Sequence, residues 1–204
     1  MANAAKDYGL TPVSSMAGAL PATIQCVGLS GVTSALYVGD PVILAGAGDQ
    51  QGRPSVDIAI GSEGTESEFV FGVITGVRAS DPDSLATLGG TASTNRILTV
   101  MPALSNIIWR INASNTTGAN PNDIGGGFDL VLTAGDALTG RSKWALDMGD
   151  DNQAIGAAGQ VRLIGFDNRP DNAIGAAGTD TADIDCLIVF AESYWNSGAD
   201  GGLT

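Results

Sequence analysis

The strongest constraint in this sequence is a period of two. In SVDIAI (55–60), Val56, Ile58 and Ile60 share one face and Ser55, Asp57 and Ala59 the other. NIIWRINA (106–113) sets Ile107, Trp109 and Ile111 opposite Arg110 and Asn112, and FDLVLT (128–133) aligns Phe128, Leu130 and Leu132. Side chains alternate across a strand and spiral around a helix, so this spacing specifies half-buried strands. EFVFGVITGV (68–77) and DCLIVFAESY (185–194) are apolar on both faces, which places them centrally or between layers, with Gly72 and Gly76 marking close backbone approach. Further strands are predicted at IQCVGL (24–29), TSALYV (33–38), PVILA (41–45), RILTVM (96–101), KWALD (143–147) and QVRLIGF (160–166). The best helical candidate is DPDSLATL (81–88), with Asp81 as cap and Pro82 in the first turn. Short strands with Gly, Asn and Asp punctuation predict an all-β fold, a barrel or a jelly-roll-like sandwich.

The 204 residues suffice for one sizeable core. No composition break marks a boundary, so a single β domain is predicted over 21–195. An extended N-terminal arm over 1–20 precedes it, and a flexible C-terminal tail over 196–204 follows. The connectors are long and polar: AGAGDQQGRPS (45–55), RASDPDSLATLGGTASTN (78–95) and NASNTTGANPNDIGGG (112–127) read as loops. Connections of that length are functional or disordered in most compact domains. The N-terminus lacks the apolar stretch of a signal peptide, and the longest strongly apolar run, CLIVFA (186–191), is far too short for a membrane helix. The expectation is a soluble protein made in the cytoplasm.

A net charge of −13, with no histidine, argues against direct binding of nucleic acid or anionic lipid. Charged residues make up only 15% of the chain, which suggests that part of the surface is covered by something other than water. Lys6 and Lys143 are the only lysines; the other bases are arginines, suited to bidentate contacts at interfaces. Cys26 and Cys186 form no CxxC; they either pair or lie apart as small buried hydrophobes, the commoner outcome.

The hexapeptide AIGAAG occurs at 154–159 and again at 173–178. A dinucleotide fingerprint needs GxGxxG between a strand and a helix, whereas each copy offers only GxxG and the first runs into the predicted strand QVRLIGF. Turns are the better reading. Without histidine, Ser-His-Asp and Cys-His catalysis and HExxH zinc sites are excluded. Carboxylate pairs from Asp147, Asp150 and Asp151, or from Asp180, Asp183 and Asp185, remain open, though such acids are usually solvated turn residues. DMGDDN (147–152) lacks the ligand spacing and the closing glutamate of an EF-hand. Trp109 and Trp144 alternate with Ile or Leu and read as core, while Trp195 closes the last strand at a rim or subunit contact. No catalytic residue, cofactor or metal ligand is assigned.

YVGDPVILAG (37–46), FVFGVITGVRA (69–79), VRLIGFDNRPDN (161–172) and CLIVFAESYW (186–195) together resemble the head decoration, or cement, proteins of tailed bacteriophages. The resemblance covers roughly 35–80 and 160–195. It implies a non-enzymatic homotrimer on the outer capsid surface of the virion, bound to the major capsid protein and bracing the shell against internal DNA pressure. Under that reading Lys6 and Tyr8 of the arm, Arg162, Arg169, Tyr194 and Trp195 are the candidate contact residues. A different virion component (minor head, fibre or tail subunit) and a carbohydrate-binding β protein are the alternatives.

Overall fold

A computed structural model of the chain describes residues 8–28, 35–59, 69–78, 89, 96–114, 118–133, 135–149, 159–176 and 181–196. Among them the regular structure is all β, apart from one short 3-10 turn at Pro121–Asp123. The strands are β1 (Thr11–Ser15), β2 (Ile24–Val27), β3 (Pro41–Gly48), β4 (Pro54–Ile58), β5 (Gly72–Val77), β6 (Ile97–Pro102), β7 (Ile107–Asn112), β8 (Gly127–Phe128), β9 (Leu130–Val131), β10 (Ala145–Leu146), β11 (Val161–Phe166) and β12 (Asp185–Phe190).

Two bodies hold ten of these strands, and β9 and β10 pair with each other as a separate two-stranded sheet. A closed barrel runs β2-β4-β3-β5-β6, and a five-stranded sheet runs β1-β7-β12-β11-β8. All the sheet pairings are antiparallel, whereas the barrel closes through one parallel contact, Val27 beside Ser55. Cys26, Val42, Val56, Ile74, Leu98 and Val100 fill the barrel. The second core lies between the barrel flank and the sheet, where Val73 and Met101 meet Ile107, Trp109, Ile111, Leu163, Ile188 and Phe190. β5 therefore serves both cores, with Ile74 facing one and Val73 the other, as its two apolar faces predict. A Cβ on Gly72 would lie 2.5 Å from the Met101 carbonyl oxygen, so that glycine does mark a close strand approach. Trp109 and Trp144 are fully buried, as their alternation with Ile and Leu predicts. Both cysteines are free and buried, one in each core. Burial pushes the Cys26 thiol up to about 11 and the Cys186 thiol higher still.

Several boundaries differ from the sequence reading. Residues 45–55 are largely an ordered hairpin, because β3 continues to Gly48 and β4 begins at Pro54. Its tip is fixed by Asp49, whose carboxylate accepts the backbone N–H of Gln51 and Arg53 and the Arg53 Nε–H at 2.6 Å. FDLVLT is divided at Asp129 between β8 and β9, which belong to different sheets, and the carboxylate of Asp129 takes the Gln160 N–H. Within 112–127, the Asn120 side chain caps the 3-10 turn and Ala119 is fully buried, so part of this polar stretch belongs to the body. The described part of TSALYV makes isolated bridges only. The predicted helix at 81–88 and most of the first AIGAAG lie outside the described residues, and residues 173–176 of the second copy form no regular element.

The Gly39–Asp40 turn knits the two bodies together. Its neighbour Val38 donates to Gly140, Ser142 donates back to Val38, and Leu10 donates to Gly39. Asp40 is buried, accepts the Tyr37 N–H at 2.7 Å and is hydrogen-bonded by the Ser142 hydroxyl. Burial outweighs those bonds and raises its carboxyl from 3.8 to about 6. A carboxyl raised by folding binds its proton more tightly in the native state, so ionisation opposes folding. The penalty is absent below about pH 4, grows between pH 4 and 6 and is complete above, reaching about 3 kcal/mol. Asp40→Asn, which keeps an acceptor for Tyr37, is expected to remove most of this decline. Urea midpoints at pH 4 and pH 7.5 check it: an unchanged pH slope would show that Asp40 is not its source.

Candidate functional site

The structure sorts the candidate contact residues into an aromatic group, a buried polar group and an isolated arginine. The aromatic group forms where the chain leaves β12 and crosses to the barrel. Ser193 bridges Val70, and the Tyr194 N–H donates to the Val70 carbonyl. This crossing stacks Trp195 5.3 Å from Phe71, with Tyr194 edge-on to both rings. The Trp195 indole N–H donates to the Phe71 carbonyl at 2.7 Å, which fixes the ring against the barrel. Phe71 is buried, whereas Tyr194, Trp195 and Phe69 remain 42%, 39% and 38% exposed. Tyr194 and Trp195 were legible as a rim pair; Phe71, which completes the group, is visible only once the residues before β5 and after β12 are brought together. Aromatic rings held in place this way offer contact area with little entropy left to lose.

The second group brings Tyr8 and Arg169 onto the chain's own Asp185. That carboxylate is fully buried and accepts the Tyr8 hydroxyl at 2.6 Å, the Asn112 amide at 3.1 Å and the Arg169 guanidinium. Asn172 clamps the same residue by its backbone, accepting the Asp185 N–H and donating to its carbonyl. Arg169 also pairs with Asp167 at 2.8 Å, and Asp167 pairs with Arg110, whose guanidinium lies 5.3 Å from the Tyr8 ring centre. Burial raises the Tyr8 hydroxyl to about 12, against the pull of Arg110. Tyr8 and Arg169 are thus engaged within the chain, tying the N-terminal segment and the 167–172 loop to β7 and β12. The sequence reading weighed Asp185 only as one of several turn acids and missed Asn112 and Asn172; nothing local in DIDC or RPDN announces such a cluster.

Arg162 stands apart. It pairs across the sheet with Val189, alternates with the inward Val161 and Leu163, and has no ion partner among the described residues. Lys6 lies outside the described residues, as do Asp150, Asp151 and Asp180. Among the described residues no group of three or more His, Cys, Asp or Glu side chains is placed to hold a metal ion. No helix among them is long and apolar enough to cross a membrane. No family model, curated protein or solved structure matches the chain.

Proposed function

We propose that the chain is a structural adhesion protein of a tailed-phage virion: a decoration protein that assembles with its own copies on the outer capsid surface and performs no chemistry. The observation that carries this reading is the exposed aromatic pair Tyr194 and Trp195, fixed against buried Phe71 where the chain leaves β12 and crosses to the barrel. Tyr and Trp in such settings anchor protein interfaces. The acid-rich composition suits a surface remote from packaged DNA, and low charge density suits coverage by neighbours. Contacts of modest affinity from several linked copies add through effective concentration, so each patch need not bind tightly alone. A sugar-binding role is the weaker alternative, because the Tyr194 and Trp195 rings meet at 83° and offer no common plane for a pyranose face.

The test is to mix purified protein with phage heads lacking decoration and image the particles. Density at regular lattice positions is expected. Trp195→Ala is expected to weaken occupancy by about 30-fold, the effect of losing an interface anchor worth ~2 kcal/mol. Bare heads at saturating wild-type protein, or glycan binding that Trp195→Ala abolishes, would overturn the reading.

A further inference from the structure

Strand β1 is the N-terminal element of the described fold, and its attachment to the rest is unusual. Tyr8 and Leu10 are inserted into the body: the Tyr8 hydroxyl reaches buried Asp185, and Leu10 joins the larger core. β1 then pairs antiparallel with the edge of β7, with Ser14 opposite Ile108. Beyond β1 the chain changes character. Residues 16–20 are all exposed before β2 starts the barrel, and Met16 and Leu20 present 64% and 41% of their surface to water. The reversal at the end of β1 is a single turn, held by Gly18 N–H to the Ser15 carbonyl and Ala17 N–H to the Ser15 hydroxyl.

A terminal strand that makes specific contacts, joined to its body by an exposed turn, can make the same contacts with another copy. Opening the turn gives up these two bonds, while the Met16 N–H, which donates to the Asn106 carbonyl at 2.8 Å, moves with β1 and can meet the same carbonyl of another copy. The connector 16–23, extended at ~3.3 Å per residue, spans roughly 26 Å, enough to reach an adjacent subunit. The bulge at Val13 lies within the β1–β7 ladder itself, between the Pro12–Trp109 and Ser14–Ile108 pairs, and it travels with β1, so an exchanged strand meets β7 of another copy in the same register.

We propose that in assemblies of this chain the segment Tyr8–Ser15 is exchanged, so that one copy's β1 completes the β7 edge of the next and its Tyr8 fills the Asp185 pocket there. The partner is therefore a second copy of this chain, and each Asp185 pocket is completed in trans. This rests on the self-association within the function proposed above.

Cross-linking decides it. In the full chain, Ser14→Cys and Ile108→Cys place thiols on directly opposed residues, close enough to form a disulfide whichever copy supplies β1. The native cysteines are buried and do not compete. The purified double variant, shown to be folded by circular dichroism, is oxidised at high concentration and run on a denaturing non-reducing gel, without capsids. Covalent dimers and higher multimers that collapse on reduction are expected, with Ser14→Cys and Ile108→Cys alone giving neither. A cross-link confined to monomers, or none at all, overturns the exchange. Sedimentation of the same sample separates the two ideas: monomer-only cross-links in a multimer sink the exchange alone, whereas a protein that stays monomeric also removes the self-association beneath it.

Discussion

Arg169→Met will lower the unfolding free energy by about 3 kcal/mol, and adding Asp185→Asn will return most of that loss. Asp185 has no exposed side-chain surface, while Arg169, its cationic partner, is 33% exposed. Removing the guanidinium strands a carboxylate that water cannot reach. Breaking such a pair from one side typically costs 3–5 kcal/mol; partial solvation of Arg169 favours the low end. Methionine retains most of the stem's packing, so the loss reports chiefly on charge. Converting the acid to the neutral amide removes the stranded charge and keeps an oxygen for the Tyr8 hydroxyl and the Asn112 amide. Neighbouring groups in one network do not act additively, and the sign of the non-additivity is the point. Urea unfolding of wild type, both single variants and the double variant measures it. A double variant as unstable as the sum of the singles would show that Asp185 and Arg169 are not coupled.

That network also marks the limit of what the sequence reveals. The strands were legible because alternation is local: Ile107, Trp109 and Ile111 announce a buried face within five residues, and all three lie in the core. β5 announced its two buried faces in the same way. The Asp185 cluster has no such signature. Its members come from positions 8, 112, 169, 172 and 185, and only the pairing of β7 with β12 sets Asn112 beside Asp185. The same holds for the aromatic patch, where Tyr194 and Trp195 are plain in sequence but Phe71 joins them through a bridge spanning most of the chain. Polar composition misled at 45–55 and 112–127. Gly, Asn and Asp read as loop there, yet Asp49 and Asn120 satisfy the backbone of tight turns and hold these stretches in place.

The second large effect is expected from one methyl group. Gly39→Ala should destabilise the chain by about 3 kcal/mol or more, whereas Gly18→Ala should lose only about 1 kcal/mol. Both glycines have φ +98, a backbone region that strains an L-residue at either position. Their surroundings differ. A Cβ at Gly18 meets nothing within 4 Å, while at Gly39 it lies 2.5 Å from the Tyr8 carbonyl oxygen and 3.1 Å from the Ser142 Cβ. Gly39 cannot step aside, because its N–H donates to the Ile74 carbonyl and its own carbonyl accepts from Leu10. The methyl must displace the segment carrying Tyr8 and Leu10, loosening the Tyr8 bond to Asp185 and the seat of Leu10 in the core. The difference between the two alanine variants, read from urea midpoints, therefore isolates the close approach from the backbone strain. Equal losses at the two positions would mean that the N-terminal segment is not packed against this turn. A loss at Gly39 that falls to the Gly18 level when residues 1–15 are also deleted would assign the contact to that segment directly, since the obstructing carbonyl leaves with it.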